Sequence, residues 1–232
     1  MNGLSNQIKK IVILVLVLAV PGSLYYLLTQ KGKNRYKPLP IYGPKQVAKT
    51  GHTRRGKYIP DTIYHQLPDF TLTNQLGKPV KLKDFDYKVF VVNFFYGHCP
   101  EVCANVNKNI DRLAGAFRKN KMVKFVSITV DPQRDDVKAL EAYSKPFGFP
   151  ADKWMFLTGD TTTIYGLARN GFLVNAVKVD NNFIFDSKLI LMDAEKRIRG
   201  TYDGTNLQDV ARLNDEIKVQ IAEELRKIKA PD

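Results

Sequence analysis

The chain has 232 residues, a length that suits one folded domain with appendages rather than several domains. Its formal net charge is +13, with basic residues along the whole chain. Because no zinc-finger spacing or aromatic RNA-binding signature accompanies this charge, it indicates a lysine-rich solvated surface and no nucleic-acid partner. The two cysteines lie only four positions apart, which excludes the disulfide framework of a small secreted scaffold.

An apolar stretch near the N-terminus predicts a membrane anchor. Residues 11–20 read IVILVLVLAV, and the whole run 11–28 is about long enough to span a bilayer, which needs roughly 20 residues. Because no small-x-small cleavage site follows, we expect an uncleaved transmembrane helix rather than a signal peptide, with residues 1–10 in the cytoplasm. Basic residues flank both sides of the run, so the positive-inside rule does not fix its orientation.

Residues 29–63 are predicted to form a tether between the anchor and a folded domain. They are basic, contain Pro and Gly, and show no sustained hydrophobic periodicity. The folded domain is predicted to occupy residues 64–230. It should open with a short hairpin, in which Phe70 and Leu72 precede a turn at Gly77 and further apolar residues follow it.

The segment around the two cysteines predicts a strand, a turn and a helix. The run KVFVVNFF, Lys88–Phe95, is apolar almost throughout, as in strands that are buried on both faces. YGHCPEVC follows, and apolar residues then recur every three or four positions, which predicts a helix with one apolar face. Pro100 suits the first helical position, which makes Cys99 the expected N-cap.

Strands and helices alternate in the rest of the chain. Strands are predicted at 124–130, 154–157 and 171–177, helices from Asp135, from Thr161 and from Thr205 with a capping-box Gln208, and a late hairpin at 188–192 and 197–202. We expect Asp131 to make a turn and Asp135 to cap its helix, with no role in a site. The order predicts an α/β fold with a mixed sheet flanked by helices.

Cys99 and Cys103 are the candidate site residues. The free N–H groups and positive partial charge of a helix N-terminus favour the thiolate, which is both nucleophile and metal ligand. Residues four apart lie on one helix face, so the two sulfurs can converge to close a disulfide or to hold one soft ion. Two thiolates favour Cu(I), whereas zinc would need four ligands. His98 is a weak candidate for a further ligand, since a residue at this position more often faces solvent.

Several ordered stretches resemble the SCO/SenC family. FFYGHCPEVC is similar to that family's strand followed by a C-P-x-x-C motif, and SITVDPQRDDVKALEAYSKPFGF at 127–149 is similar to its Val-Asp-Pro stretch and following helix. WMFLTGD at 154–160, YGLAR at 165–169 and LILMDAEKRIRGTYDG at 189–204 also fit the family. The resemblance covers most of the chain outside the predicted anchor, from about residue 39 to residue 206.

The resemblance implies a thioredoxin-like fold on an anchor in the cell inner membrane, with the domain on the periplasmic side. It also implies copper delivery or thiol–disulfide maintenance during assembly of the respiratory cytochrome c oxidase. The partner would then be the copper-site subunit of that oxidase or another thiol protein. In the family two motif cysteines, here Cys99 and Cys103, and one late histidine hold copper. By strand register the histidine's place falls at Phe185, give or take one residue, and Ala104 stands where the family has a proline.

Three functions stay open at this point. The pair could handle copper as Cu(I), or act as a thiol–disulfide oxidoreductase without metal, with Cys99 as the attacking thiol and Cys103 as the resolving thiol. The fold could also be a degenerate docking module without turnover. The missing histidine shifts weight toward the oxidoreductase. We further expect Phe185 or Asp186 to line a pocket beside the sulfurs, with room for a protein thiol or Cu(I).

Overall fold

The computed structural model describes residues 2–30, 38–99, 101–179 and 182–229. The chain divides into two compact units, residues 1–37 and residues 38–232. In its described part the first unit is one helix, α1 (Asn2–Gln30), which contains Pro21. Its stretch Ile8–Tyr26 is long and apolar enough to cross a membrane, a property that it shares with signal sequences. The transmembrane assignment therefore stays a prediction.

A two-stranded hairpin that ends at Tyr64 overlaps the C-terminal part of the predicted tether. Its antiparallel strands are β1 (Lys45–Arg54) and β2 (Lys57–Tyr64). Arg55 and Gly56 form the turn with positive φ angles of 51° and 76°, as in the two-residue turns that match the twist of such hairpins. The strands are exposed along almost their whole length. They carry no alternation of apolar and polar residues, which is why the periodicity did not predict them.

The second unit is built on a seven-stranded mixed sheet. Its further strands in chain order are β3 (Thr71–Asn74), β4 (Pro79–Lys81), β5 (Val89–Phe95), β6 (Val123–Thr129), β7 (Trp154–Thr158), β8 (Ala176–Val179), β9 (Asn182–Phe185), β10 (Lys188–Met192) and β11 (Ile198–Asp203). The sheet order is β11-β10-β5-β6-β7-β3-β4, and β8 pairs with β9 in a separate antiparallel hairpin. The central strands β5, β6 and β7 are parallel, and the outer pairings are antiparallel. The predicted opening hairpin, β3–β4, and late hairpin, β10–β11, are confirmed.

Helices cover both faces of this sheet. They are α2 (Glu101–Ala116), α3 (Val137–Ser144), α4 (Thr161–Gly166), which continues as a π-helical turn Leu167–Gly171, and α5 (Leu207–Lys229). Apolar residues of α2, α3 and α5 share one buried cluster with Val91 and Phe125, and those of α4 share the other with Val92 and Ile128. Every position of β5 is buried, which explains its near-continuous apolar run.

A buried arginine fixes the start of the second unit. The Arg199 guanidinium is 1% exposed and donates to both carboxylate oxygens of Glu223 at 2.8 Å and to Asp193 at 3.1 Å. It also donates to the backbone carbonyl of Leu39 at 2.5 Å. Since hydrogen bonds to charged groups contribute about 1.5–3 kcal/mol each, this cluster holds residues 39–40 firmly against β11.

The chain enters this unit at the end of the sheet where β5 begins. Tyr42 forms a bridge with Ile198 at the start of β11, and Ile198 pairs with Met192, which in turn pairs with Phe90 near the start of β5. The segment after the β1–β2 hairpin returns to the same end, because the Leu67 amide donates to a carbonyl in the β10–β11 turn at 3.0 Å. The cysteines follow the opposite end of β5.

Three local predictions were wrong. Residues 171–177 do not form one strand, because the π-helical turn extends to Gly171 and strand β8 begins only at Ala176. The N-cap of α3 is Asp136, whose carboxylate accepts the Ala139 amide at 2.8 Å. The last helix begins at Leu207, and the Asn206 side chain accepts the Gln208 amide at 2.8 Å. The capping box from Thr205 is therefore replaced by Asn206.

Candidate functional site

The cysteine pair stands between the most buried strand and the helix that follows it. After β5 ends at Phe95, a turn brings the Cys99 amide to the Tyr96 carbonyl at 3.1 Å, and α2 begins at Glu101. Cys99 and Cys103 form a disulfide with their Cα atoms 5.7 Å apart. The two sulfurs converge, as their spacing allows. Pro100 lies outside the described residues, so the N-cap role of Cys99 stays a prediction.

The two cysteines differ in exposure. Cys103 is 3% exposed and packs in the buried cluster that α2 and α5 share. Cys99 is half-buried at the edge of that cluster. Because exchange needs in-line access to a sulfur, an incoming thiolate can approach Cys99 more readily than Cys103. The attacking role of Cys99 and the resolving role of Cys103 stay predictions.

A buried carboxylate holds the loop that leads to Cys99. Asp135 is 2% exposed, and its Oδ2 accepts the Gly97 amide at 2.9 Å and the Thr129 hydroxyl. A Cβ atom on Gly97 would lie 2.6 Å from Asp135 Oδ1, so only glycine fits this approach. Asp135 thus ties the loop before the cysteines to the end of the neighbouring strand β6.

Burial raises the pKa of the Asp135 carboxyl above its ordinary value. The hydrogen bonds from Thr129 and Gly97 act in the opposite direction, the nearby Asp131 charge adds to the rise, and His98 counters it. The sequence missed this residue because Asp135 and Asp136 are adjacent and either could cap the helix. A helix needs only one N-cap, so only one of the two adjacent acids could serve as the cap. The other had to have a different role, and this was the signal that the sequence offered.

Tyr143, an aromatic residue of α3, packs against the end of β5. The Tyr143 ring stacks on Phe95, with centroids 5.1 Å apart, and its hydroxyl accepts from the Asn107 side chain at 2.6 Å. Burial raises the Tyr143 pKa, the hydrogen bond from Asn107 opposes this, and the Asp135 charge adds to the rise. Asn107 lies one helical turn beyond Cys103. The ring contact and this hydrogen bond therefore connect α3 to β5 and to α2.

The three histidines do not gather around the sulfurs. His98 is exposed on the loop before Cys99. His52 lies on the β1–β2 hairpin 3.2 Å from Asp61, and the His65 ring contacts the Gly171 carbonyl at 2.7 Å. Within the described part of the chain, no group of three or more His, Cys, Asp or Glu side chains is placed to hold a metal ion. A ligand role for His98 stays a prediction.

The position of the family's late histidine lies on the β8–β9 hairpin. Phe185 pairs with Ala176 at the end of β9, and its side chain lies outside the described residues. The Asp186 amide donates to the Asn175 carbonyl, and the Asn175 amide donates to the Asp186 carboxylate at 3.1 Å. The same carboxylate lies 3.4 Å from the Lys188 ammonium. The expected pocket of Phe185 or Asp186 beside the sulfurs stays a prediction.

The donor set fits copper only as Cu(I) and only after reduction. A disulfide offers no thiolate, so the pair must first gain two electrons. Two thiolates then suit a soft ion that accepts low coordination numbers, whereas Cu(II) prefers nitrogen ligands in a tetragonal arrangement. Copper would be a cargo of this site.

Comparison with known proteins matches the domain around this site. Residues 62–222 fit the sequence profile of the SCO1/SenC family. The chain is 26% identical over 153 residues to a SCO1 protein homolog of Bacillus subtilis, covering 64% of this chain and 79% of the homolog. It spans only 40% and 46% of two mitochondrial relatives, from mouse and Arabidopsis thaliana.

Solved structures show the same fold. A SCO1/SenC family lipoprotein from Bacillus anthracis is similar with a TM-score of 0.63 and 28% identity, over 67% of this chain and 95% of that one. Arabidopsis thaliana ScoI, solved with copper bound, is similar with a TM-score of 0.57 and 27% identity, over 69% of this chain and 98% of that one. These similarities confirm the predicted thioredoxin-like mixed sheet.

Proposed function

The chain belongs to the SCO1/SenC family, and from that premise we propose that it exchanges thiols and disulfides through Cys99 and Cys103 during assembly of a respiratory terminal oxidase. One observation carries this proposal: the two cysteines are joined in a disulfide, with one partner half-buried and the other almost fully buried. Such a pair needs no further ligand or cofactor to turn over.

In this exchange the Cys99–Cys103 pair is oxidised to its disulfide while a disulfide of the partner protein is reduced. The Cys99 thiolate attacks a disulfide of the partner protein, a mixed disulfide forms, and the partner's second sulfur leaves as a thiolate. The Cys103 thiolate then attacks the Cys99 sulfur, which forms the Cys99–Cys103 bond and releases the partner's first sulfur. Two electrons pass to the partner, whose two thiolates take up protons from solvent.

Trapping with single cysteine variants tests this order. Cys103→Ser should accumulate mixed disulfides through Cys99 in the reduced full-length chain, because the resolving thiol is gone. Cys99→Ser should not, because Cys103 is buried. Ala104→Ser is the matched control, since it adds a hydroxyl beside Cys103 and keeps both thiols. Adducts on Cys99→Ser alone would contradict the assignment, as would partner capture that is unchanged in the double Cys→Ser variant, the result expected of a docking module.

Carriage of Cu(I) by the reduced pair is a second candidate function. It is favoured by the copper-bound relative from Arabidopsis thaliana, which is 27% identical to this chain. Here two thiolates would hold the ion without the late histidine. The same sulfurs cannot serve as a disulfide and as ligands, so the redox state of the pair would decide between the two functions.

Competition with a chelator measures this binding. The reduced full-length chain in detergent should take up one Cu(I), and a Cys99→Ser/Cys103→Ser variant should take up none. Phe185→His, which restores a nitrogen donor at the register position, should increase Cu(I) affinity and add Cu(II) binding. Absence of Cu(I) binding, with the pair still cycling between dithiol and disulfide, would leave exchange as the only function.

We also propose that the stretch Ile8–Tyr26 anchors the chain in the inner membrane, with the residues before it in the cytoplasm and the domain on the periplasmic side. Its length and apolar composition support the span, and the family resemblance supports the side. An anchored chain should stay in the membrane pellet after alkaline extraction, and protease added to spheroplasts should cleave its domain. Release by alkali, or complete protection, would contradict the topology.

A further inference from the structure

The hairpin of β1 and β2 is a surface element without a packing partner in the sheet. Its strands pair with each other and with no further strand in the described part of the chain. The apolar side chains Val47, Tyr58, Ile59 and Ile63 are all exposed, Val47 by 75%. An isolated two-stranded hairpin is at best marginally stable in water, so such exposed apolar surface points to a contact that completes it.

The net positive charge of the chain is concentrated in the first 60 residues of the sequence, which include β1 and part of β2. Residues 1–60 contain 11 of the 36 basic residues and none of the 23 acidic ones, so they contribute +11 of the net charge of +13. The hairpin itself carries five cations, Lys45, Lys49, Arg54, Arg55 and Lys57, against the single carboxylate of Asp61. The excess of positive charge is therefore local in the sequence, although basic residues occur along the whole chain.

Most of the hairpin also lies outside the residues that the family profile matches. The family match begins at residue 62, after all of β1 and most of β2. These strands are not paired with the seven-stranded sheet, so the pairing of that sheet does not explain their composition. The composition of the hairpin, cationic and apolar together, therefore requires its own explanation.

We propose that the β1–β2 hairpin lies on an anionic phospholipid surface, with its cations at the headgroups and its exposed apolar side chains at the interface. Each Lys or Arg near an anionic surface adds to the attraction, and tyrosine favours the interfacial region. The inference rests on the proposed anchoring, since Lys45 follows the apolar stretch by only 19 residues. Even fully extended, that length keeps the hairpin within about 65 Å of the bilayer, at high effective concentration.

Hydrogen exchange in nanodiscs tests the contact with the full-length chain. In discs that contain phosphatidylglycerol, amides of residues 45–64 should exchange at least several-fold more slowly than in phosphatidylcholine discs. The protection should disappear at high salt, which screens exposed charges. Lys49→Gln/Arg54→Gln/Lys57→Gln leaves the turn residues Arg55 and Gly56 in place. It should lower the ratio of bound to free hairpin by about 100-fold, from roughly 1 kcal/mol per cation.

A matched control removes three exposed lysines from the thioredoxin-like part, Lys78→Gln/Lys119→Gln/Lys138→Gln, and should keep the full protection. In phosphatidylcholine discs the hairpin variant and the original chain should exchange alike, which shows that the substitutions leave the hairpin folded. Exchange that is independent of lipid charge in a disc-inserted chain would overturn the hairpin proposal alone. Failure to enter discs would overturn the anchor. Protection that depends on protein concentration would assign the surface to a second copy of the chain and overturn the lipid contact.

Discussion

Asp135 is the side chain that fixes the cysteine loop to the sheet, through the Gly97 amide and the Thr129 hydroxyl. Asp135→Ala should lower the free energy of unfolding by about 1–3 kcal/mol, because both donors lose a buried acceptor. Asp135→Asn keeps an acceptor and should cost less. Chemical denaturation of the oxidised chain measures both. Equal losses for Ala and Asn would mean that the charge, rather than the acceptor, holds the loop.

The same residue sets a pH dependence. Because burial raises the Asp135 pKa above 3.8 in the folded chain, the folded state favours the protonated carboxyl. Its stabilising contribution is complete below the unfolded-state pKa and is lost as pH rises through the folded value. Asp135→Asn should therefore remove a decline in stability that begins just above pH 4. Denaturation midpoints at several pH values compare the two chains, and parallel curves would contradict the raised pKa.

Two glycines on either side of the disulfide provide a matched pair of substitutions. Gly97→Ala would place a Cβ 2.6 Å from a buried carboxylate oxygen, whereas Gly115→Ala in α2 meets nothing within 4 Å. We expect Gly97→Ala to destabilise by about 1–3 kcal/mol and Gly115→Ala to stabilise by up to about 1 kcal/mol. Thermal unfolding distinguishes the signs. A neutral Gly97→Ala would show that the loop can move away from Asp135.

The roles of single residues were only partly predictable. The convergence of the two cysteines was predicted because a strand, a proline and a helix pattern surround them in the sequence. Asp135 was not, because the tertiary approach of Gly97, 38 positions earlier, decides which of two adjacent acids is buried. The residue types near a helix start identify its N-cap. They do not reveal a hydrogen bond between segments that follow two different strands.

At the scale of elements, burial decided which predictions were correct. β5 and α2 pack into the core, so their sequences contain apolar patterns that predict a strand and a helix. The β1–β2 hairpin is exposed on both faces, and no alternation marks it. The π-helical turn before β8 kept residues 171–175 out of a strand, although their composition is apolar enough for one.

Lys153 connects two elements and gives a prediction at this scale. Just before β7, its ammonium donates to the carbonyls of Asn120 and Val123 at 2.8 and 2.7 Å, which holds the turn between α2 and β6. Burial lowers its pKa to about 8. Between about pH 8 and 10.5 the unfolded chain binds more protons than the folded one, so the contribution of this group to stability rises with pH.

Lys153→Met should abolish that rise and should cost about 1–2 kcal/mol near pH 7, where the two carbonyls lose their donor. Lys121→Met, at an exposed lysine of the same turn, is the control and should keep the rise. Urea denaturation at pH 7.5, 9 and 10 measures the difference. A rise that persists in Lys153→Met would assign it to another group.

For the whole molecule, the disulfide should matter more to chemistry than to stability. It closes a loop of only a few residues, so the chain-entropy model gives about 2 kcal/mol. For a chain of this size that corresponds to a Tm shift of about 4–8 °C on reduction. Scanning calorimetry with and without reductant measures it, and Cys99→Ser/Cys103→Ser should show no shift. Unfolding of the reduced chain at room temperature would contradict the prediction and the proposed cycle.

The Arg199 cluster lies at the start of β5, and this position bears on where a partner can reach the disulfide. The chain enters the domain, and the hairpin begins and ends, at one end of the central strand, whereas the disulfide follows the other end. Seven strand residues separate the two ends by about 20 Å. With β5 upright on the bilayer, a hairpin resting on the lipid would hold the reactive sulfurs about that height above it. In that orientation they would meet a partner's disulfide that projects clear of the lipid rather than one at headgroup level.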